Sequence, residues 1–153
     1  KLNNPAKIVA DGGIKGFADI IKCLALGADY VMCGSVFNKM LESAGDTYDL
    51  DIKINQYSDT VKELFKSGRT FHKEHYGMST KRAQIEISGE TTKTSEGIER
   101  IQTVEYTIGQ WVDNFISYFK SAMSYTSSFD IEDFIGNVET ITVSSNSYHA
   151  INK

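Results

Sequence analysis

The chain has 153 residues, 41% of them hydrophobic, and a formal net charge of −4, which is ordinary for one globular domain of modest size. This charge disfavours a non-specific nucleic-acid binder, which needs a basic face, but leaves anionic small ligands open. No apolar run approaches the roughly 18 residues of a membrane span, and no secretory leader is visible, so neither a membrane protein nor a secreted one is expected.

The N-terminal part predicts a strand, a turn, a helix and a second strand. Residues 8–10 form a short apolar run that predicts a buried parallel strand. The apolar spacing then predicts a helix from about residue 16 to residue 26, with Gly27 at its C-terminal cap. A second apolar run predicts a strand that ends at Gly34 and Ser35. Together these elements form a βαβ unit, whose crossover should be right-handed.

The middle of the chain changes character. Residues 35–45 predict a short helix, and residues 46–105 are polar, with few apolar clusters. Long polar excursions inside a compact fold are usually functional lids or disordered. Within this stretch, residues 59–66 predict a helix because Val61, Leu64 and Phe65 share one apolar face. Residues 80–97 predict a mobile hairpin or loop.

The C-terminal part predicts two helices and a strand. Residues 109–123 carry an apolar stripe at helical spacing, which predicts a helix packed on the core. The stripe consists of Trp111, Val112, Phe115, Ile116, Phe119 and Met123. Residues 129–136 predict a short helix, and the alternation of Val138, Thr140 and Thr142 predicts a late edge strand.

Two turns rich in small residues follow the two predicted strands. Asp11 can accept two hydroxyl hydrogen bonds, as a ribose diol offers, while Gly12 and Gly13 let backbone N–H groups approach an oxyanion. Gly34 and Ser35 repeat this arrangement at a predicted helix N-terminus, which suits a phosphate. In (β/α)8 barrels the phosphate site typically follows strands 7 and 8. The pair therefore predicts a nucleotide-binding barrel segment. The alternative is that the glycines only form tight turns and Asp11 caps a helix.

These motifs resemble those of the IMP dehydrogenase and GMP reductase family. The matching segments read KIVADGGIKGFADIIKCLALGADYVMCGSVF, ESAGD, HYGMST and SEG. The resemblance implies an α/β fold that forms the C-terminal part of a (β/α)8 TIM barrel, with strands 7 and 8, a flap and C-terminal helices. It further implies that residues 1–153 are a C-terminal fragment of one catalytic barrel, with residues 46–105 as the flap or insertion region.

The resemblance also implies roles for individual residues in binding a purine nucleotide. Asp11 would bind the ribose hydroxyls. The neighbouring and phosphate-binding residues would be Gly12, Gly13, Gly34 and Ser35. Four consecutive residues would close over phosphate and base: Tyr76, Gly77, Met78 and Ser79. After the flap, Glu96 and Gly97 would contact the purine edge.

Of the two activities in the family, the flap favours GMP reductase. The dehydrogenases carry an Arg-Tyr pair that activates water, and no such dipeptide occurs between Met78 and Glu96. The resemblance implies that Glu96 is catalytic and takes part in proton transfer while the amino group leaves as ammonia, which suits a carboxylate near the purine. It implies NADPH as the cofactor, with NAD as the alternative, and Ser121 and Tyr125 as cofactor contacts.

The nucleophilic cysteine of the family follows strand 6 and is expected upstream of Lys1. Cys23 and Cys33 do not match it and are expected to be packing residues. Two cysteines are too few for a disulfide scaffold, which favours a cytoplasmic location. The three histidines lack metal-ligand spacing, so no metal site is expected. We expect this chain alone to be inactive and, with an open barrel edge, to aggregate.

Three functional hypotheses remain open. The first is a purine nucleotide oxidoreductase, most simply a GMP reductase that converts GMP and NADPH to IMP, ammonia and NADP through a covalent bond between purine C2 and the cysteine. Its runner-up is IMP dehydrogenase, with NAD and water. The second is a non-catalytic purine-nucleotide-binding module, and the third is another phosphate-binding barrel enzyme. The resemblance implies GMP or IMP as the bound small molecule, a homo-oligomer, usually a tetramer, and a monovalent cation such as potassium in the intact enzyme.

Overall fold

The computed structural model describes residues 6–77, 79–90, 97 and 99–151. The strands are β1 (Val9–Asp11), β2 (Tyr30–Met32), β3 (Thr47–Asp49), β4 (Ile52–Ile54), β5 (His72–Tyr76) and β6 (Glu99–Thr103). The helices are α1 (Phe17–Ala25), α2 (Asp59–Lys66), α3 (Lys81–Ser88), α4 (Ile108–Tyr125), α5 (Ile131–Phe134) and α6 (Ser145–Ile151), with one 3₁₀ turn at Phe37–Lys39. The chain divides into two compact units, one formed by Lys1–Met32 with Phe115–Lys153 and the other by Cys33–Asn114.

The first unit contains the predicted strand, helix and strand. β1 and β2 run parallel, with Asp11 paired to Met32 in the register. α1 lies between them in the chain, and Gly27 follows its end with a φ of +105°, in the left-handed region that favours glycine. The predicted βαβ connectivity is confirmed, although β2 ends at Met32 rather than at the Gly34 turn.

The prediction that the first strand is buried is wrong. Ile8 and Val9 are 59% and 49% exposed. In the part of the chain that the structure describes, β1 pairs with β2 alone. A two-stranded sheet leaves much of its surface uncovered, so an apolar run that is typical of a barrel strand stays open to solvent here.

Aromatic side chains of α4 pack the first unit. Phe115 and Tyr118 contact Phe17 at ring-centroid distances of 6.0 and 5.2 Å. Phe119 meets Phe134 edge-on at 5.1 Å, and Phe134 on α5 is 1% exposed. Edge-on and offset ring contacts of this kind stabilise a core beyond the area they bury. The helices predicted at residues 109–123 and 129–136 are confirmed as α4 and α5.

Two other expectations for the C-terminal part are corrected. Val112 and Ile116 belong to the predicted core stripe but stay exposed, because the neighbouring elements contact the aromatic positions of α4 instead. The predicted edge strand around Thr140 is absent, and the chain forms α6 (Ser145–Ile151) a little later. Ile141 is 82% exposed, so this alternation does not mark a half-buried strand face.

The second unit is built on an antiparallel sheet of order β4-β3-β5-β6. Thr47 pairs with Lys73 across β3 and β5, and Tyr76 pairs with Glu99 across β5 and β6. The core beneath the sheet joins Leu41, Val61, Phe71 and Val104, with Ile54 and Phe65 packed against it. The predicted helix at residues 59–66 is confirmed as α2, and Ser58 caps it by accepting a hydrogen bond from the Val61 amide at 3.3 Å.

Two local predictions for this unit are wrong. The helix expected up to Gly45 is a single 3₁₀ turn, after which Met40 bridges to Tyr106 and the Leu41 amide donates to the Tyr106 carbonyl at 2.9 Å. This extended course buries Leu41 completely. The loop expected at residues 80–97 begins with α3, which Thr80 caps through the Ala83 amide and Gly89 ends with a φ of +75°.

Among the described residues, no helix is both long enough and apolar enough to cross a membrane.

Candidate functional site

The first candidate turn, Asp11-Gly12-Gly13, leaves β1 at the edge where β2 also ends. Gly12 and Gly13 have φ values of +94° and +74°, which a side chain would strain. A Cβ atom at either glycine would meet nothing within 4 Å. Asp11 is exposed, and it does not cap α1, because Gly16 is the N-cap residue of that helix. The turn therefore presents an open carboxylate and an open backbone.

The second candidate turn, Gly34-Ser35, belongs to the second unit. The Gly34 carbonyl accepts hydrogen bonds from the amides of Phe37 and Asn38 at 2.9 and 3.3 Å. The expected helix N-terminus is absent, because only one 3₁₀ turn follows and its few peptide dipoles cannot add up to a substantial partial charge. One feature of the predicted phosphate site is present. The backbone at Gly34 is accessible, since a Cβ atom there would meet nothing within 4 Å.

Tyr106 supports the second turn, and sequence reasoning missed this residue. Its hydroxyl donates to the Val36 carbonyl at 2.7 Å, and Lys39 and Glu105 form an ion pair at 2.6 Å beside it. Burial raises the pKa of the Tyr106 hydroxyl, with the Glu105 charge adding to the effect. The hydroxyl therefore stays a hydrogen-bond donor at neutral pH. No local pattern links Tyr106 to a turn that lies so far from it in the chain.

The third candidate element is the predicted segment at residues 76–79, which begins with the last residue of β5 and leads towards α3. We call this segment the 76–79 loop; its described residues are Tyr76, Gly77 and Ser79. The amide and the hydroxyl of Thr80 both donate to the Gly77 carbonyl, at 3.0 and 2.8 Å. Thr80 is almost completely buried. Thr80 therefore has two roles: it caps α3, and its hydrogen bonds to Gly77 hold the C-terminal end of the 76–79 loop. Met78, a predicted contact, lies outside the described residues.

Gly97 packs directly against this loop. A Cβ atom on Gly97 would overlap the amide nitrogen and Cγ2 of Thr80 and would come within 2.8 Å of the Ser79 carbonyl carbon. Glycine alone fits at this approach. The fold therefore brings Gly97, the second residue of the predicted Glu-Gly pair, against the 76–79 loop. Glu96 itself lies outside the described residues.

β5, the strand before this loop, carries a buried lysine that bonds to a distant part of the chain. The sequence analysis did not single out this residue. Lys73 is fully buried, and its Nζ donates to the carbonyls of Leu41 and Ser43 at 2.8 and 2.5 Å. Burial lowers the pKa of Lys73 to about 8, against a smaller opposing effect of Glu42. Lys73 thereby ties residues 41–43 to the strand that leads into the 76–79 loop.

This lowered pKa predicts a pH dependence of stability. The ordinary pKa of 10.5 holds in the unfolded chain, so between pH 8 and 10.5 the unfolded state binds more protons at Lys73 than the folded state. The contribution of Lys73 to stability should therefore rise with pH in this window and stay constant below it. The measurement is the urea midpoint of the native protein that carries this chain minus that of its Lys73→Met variant, at a series of pH values. A difference that stayed constant across the window would contradict the prediction.

The two predicted cofactor contacts lie on the C-terminal half of α4, in the first unit. The Ser121 hydroxyl donates to the Ser117 carbonyl at 3.1 Å, and the two lone pairs of its oxygen can still accept hydrogen bonds. Tyr125 is 90% exposed. Cys23 and Cys33 are both reduced thiols of intermediate burial. Within the described ranges, no group of three His, Cys, Asp or Glu side chains could hold a metal ion.

Comparison with known proteins decides the family. A model of the IMP dehydrogenase / GMP reductase domain matches residues 2–151. The chain belongs to this family. The resemblance seen in the glycine turns and the YGMST motif is thereby confirmed, and the family's members are oxidoreductases.

Curated relatives of this family member include bacterial GMP reductases. The GMP reductase of Staphylococcus aureus strain MRSA252 is 39% identical over 94 residues, which cover 61% of this chain and 27% of that protein. The GMP reductase of Staphylococcus saprophyticus is 40% identical over 88 residues, covering 57% of this chain and 25% of the relative. The chain thus spans about a quarter of the length of the curated relatives it matches.

The fold is also similar to a solved structure. The crystal structure of a GMP reductase from Trypanosoma brucei in complex with guanosine 5′-monophosphate matches with a TM-score of 0.71 at 22% identity. The match covers 95% of this chain and 27% of the other. This family member therefore shares its α/β fold with part of a TIM-barrel enzyme.

Proposed function

We propose that this chain is the C-terminal part of a GMP reductase barrel, with β1 and β2 as strands 7 and 8. The enzyme would convert GMP and NADPH to IMP, ammonia and NADP. A cysteine outside this sequence would form the covalent bond to purine C2. The observation that carries the proposal is the packing of Gly97 against Ser79 and Thr80, since it joins the two segments that would enclose the purine.

The nucleotide would be bound by accessible backbone N–H groups and by one carboxylate. Asp11 would accept hydrogen bonds from the ribose hydroxyls, because its carboxylate is exposed at the end of β1. Backbone N–H groups near Gly13, Gly34 and Ser35 would bind the phosphate, and the absence of a Cβ on the glycines leaves room for its oxygens. The 76–79 loop would close over the phosphate and the base.

Glu96 would carry the proton transfers. When the amino group leaves C2 as ammonia, the leaving nitrogen must gain a proton, and a carboxylic acid beside the purine can supply it. NADPH, when bound, supplies the two electrons that reduce the C2 carbon. Tyr125 would contact this cofactor, which fits its 90% exposure, and the Ser121 oxygen would accept a hydrogen bond from it.

The test is an assay of the native protein that carries this chain. Nicotinamide absorbance is followed with GMP plus NADPH and, separately, with IMP plus NAD. Loss of absorbance in the first mixture alone would support the reductase. A gain in the second alone would show an IMP dehydrogenase instead, and binding of GMP with no change in either mixture would favour a non-catalytic purine-nucleotide-binding module.

A further inference from the structure

A cluster of four side chains joins β5 to α3 on the two sides of the 76–79 loop. One guanidinium nitrogen of Arg82 lies 2.6 Å from Glu74, and its Nε lies 3.1 Å from Glu86. The Tyr76 hydroxyl donates to the other oxygen of Glu86 at 2.6 Å. The guanidinium carbon also lies 4.5 Å from the centre of the Tyr76 ring. We call these four residues the Arg82 cluster.

The placement of the cluster follows from the periods of the two elements. Glu74 and Tyr76 are two residues apart on β5, so they share one face of the strand. Arg82 and Glu86 are four residues apart on α3, so they share one face of the helix. The loop between the two elements is therefore tied at its entry and at its exit by the same set of contacts.

The contacts depend on one another. A single exposed ion pair contributes little, because water screens it and two side chains must be ordered. Here one guanidinium fork contacts two carboxylates and also covers an aromatic face, which a flexible ammonium cannot reproduce. The hydrogen bond from Tyr76, together with Arg82, lowers the pKa of Glu86, and the same bond raises the pKa of Tyr76.

We propose that Arg82 and Glu86 are positioning residues that hold the 76–79 loop in the conformation that binds the nucleotide. The inference rests on the proposed function, in which this loop closes over the phosphate and the base. Neither residue needs to touch the ligand. Arg82 would act through Glu74 and Tyr76 at the entry of the loop, and Glu86 through the Tyr76 hydroxyl.

The test compares Arg82→Lys with the matched control Arg69→Lys in the native protein. Arg69 makes an equivalent pair with Asp49, at 2.6 and 3.0 Å, away from the loop. We expect GMP binding, measured by titration calorimetry, to weaken about tenfold for Arg82→Lys. The control should stay within about twofold of the wild type, because no binding element depends on its pair.

A second variant and a kinetic readout distinguish positioning from general stability. Glu86→Gln keeps the shape of the side chain but removes its charge, and we expect the same weakening of GMP binding. For both variants KM for GMP should rise while kcat changes little, and the thermal midpoint should match that of Arg69→Lys. Wild-type affinity in both variants would overturn the inference alone. Failure of the wild-type protein to bind GMP would overturn the proposed function as well.

Discussion

Replacing Lys73 with alanine is expected to lower the free energy of unfolding of the Cys33–Asn114 unit by about 2–4 kcal/mol. Removal of the fully buried side chain would leave a cavity next to β3, where Thr47 pairs with Lys73 across the sheet. The carbonyls of Leu41 and Ser43 would each lose a charged donor. The measurement is urea unfolding of the native protein that carries this chain, followed by circular dichroism.

Two further variants separate the causes of this loss. Lys73→Met keeps the apolar stem and removes only the ammonium, so it should lose less stability than alanine. Lys53→Ala is the matched control, because Lys53 lies on β4 of the same sheet and pairs with Asp46 at 2.8 Å while remaining largely exposed. It should change stability little. Equal losses for Lys53→Ala and Lys73→Ala would show that the burial of Lys73 has no energetic role.

Replacing Gly97 with alanine is expected to destabilise the same unit by about 1–3 kcal/mol and, under the proposed function, to weaken GMP binding. The new methyl group would overlap the backbone of Thr80 and press on the carbonyl of Ser79. Backbone atoms cannot turn aside as the end of a long side chain can, so the 76–79 loop must shift. Circular dichroism in urea and calorimetric titration of GMP measure the two effects.

Gly109→Ala is the control for this substitution. A Cβ atom there would meet only the Thr107 hydroxyl, at 4.0 Å, and the residue lies in the first turn of α4. Alanine favours a helix over glycine, so the control should be neutral or stabilised by up to about 1 kcal/mol. If Gly97→Ala behaved in the same way, the tight approach of Gly97 to the loop would be refuted.

Local patterns predicted some elements well. α2 has the bounds that its apolar face predicted, and α1 ends at Ala25, just before Gly27, whose positive φ marks the expected end of the helix. Strand patterns predicted the structure less well, because a strand forms only where a partner strand is available. The alternation around Thr140 is typical of an edge strand, yet no strand forms there. The strands β3 and β4 have only three residues each, too short to show a clear period.

The candidate site divides in the same way. The glycine turns at Asp11 and Gly34 were visible because glycine and small residues mark places where the backbone must bend or stay open. The side chains that hold these segments in place could not be predicted from the sequence. Tyr106 reaches the carbonyl of Val36, and Arg82 reaches across to β5, and neither contact follows from residue spacing. The expected helix dipole at Ser35 failed for a related reason, since burial of Leu41 draws the chain into an extended course.

The sequence by itself determined the family, the βαβ connectivity and the positions of the glycine turns. These depend on residue types and spacings within a few turns of chain, where geometry is local. Only the tertiary structure decided that Lys73 is buried, that the polar stretch forms an ordered sheet, and that Gly97 lies against Ser79. Each of these depends on which distant segment covers a residue, because burial and close packing are properties of the neighbours rather than of the residue itself.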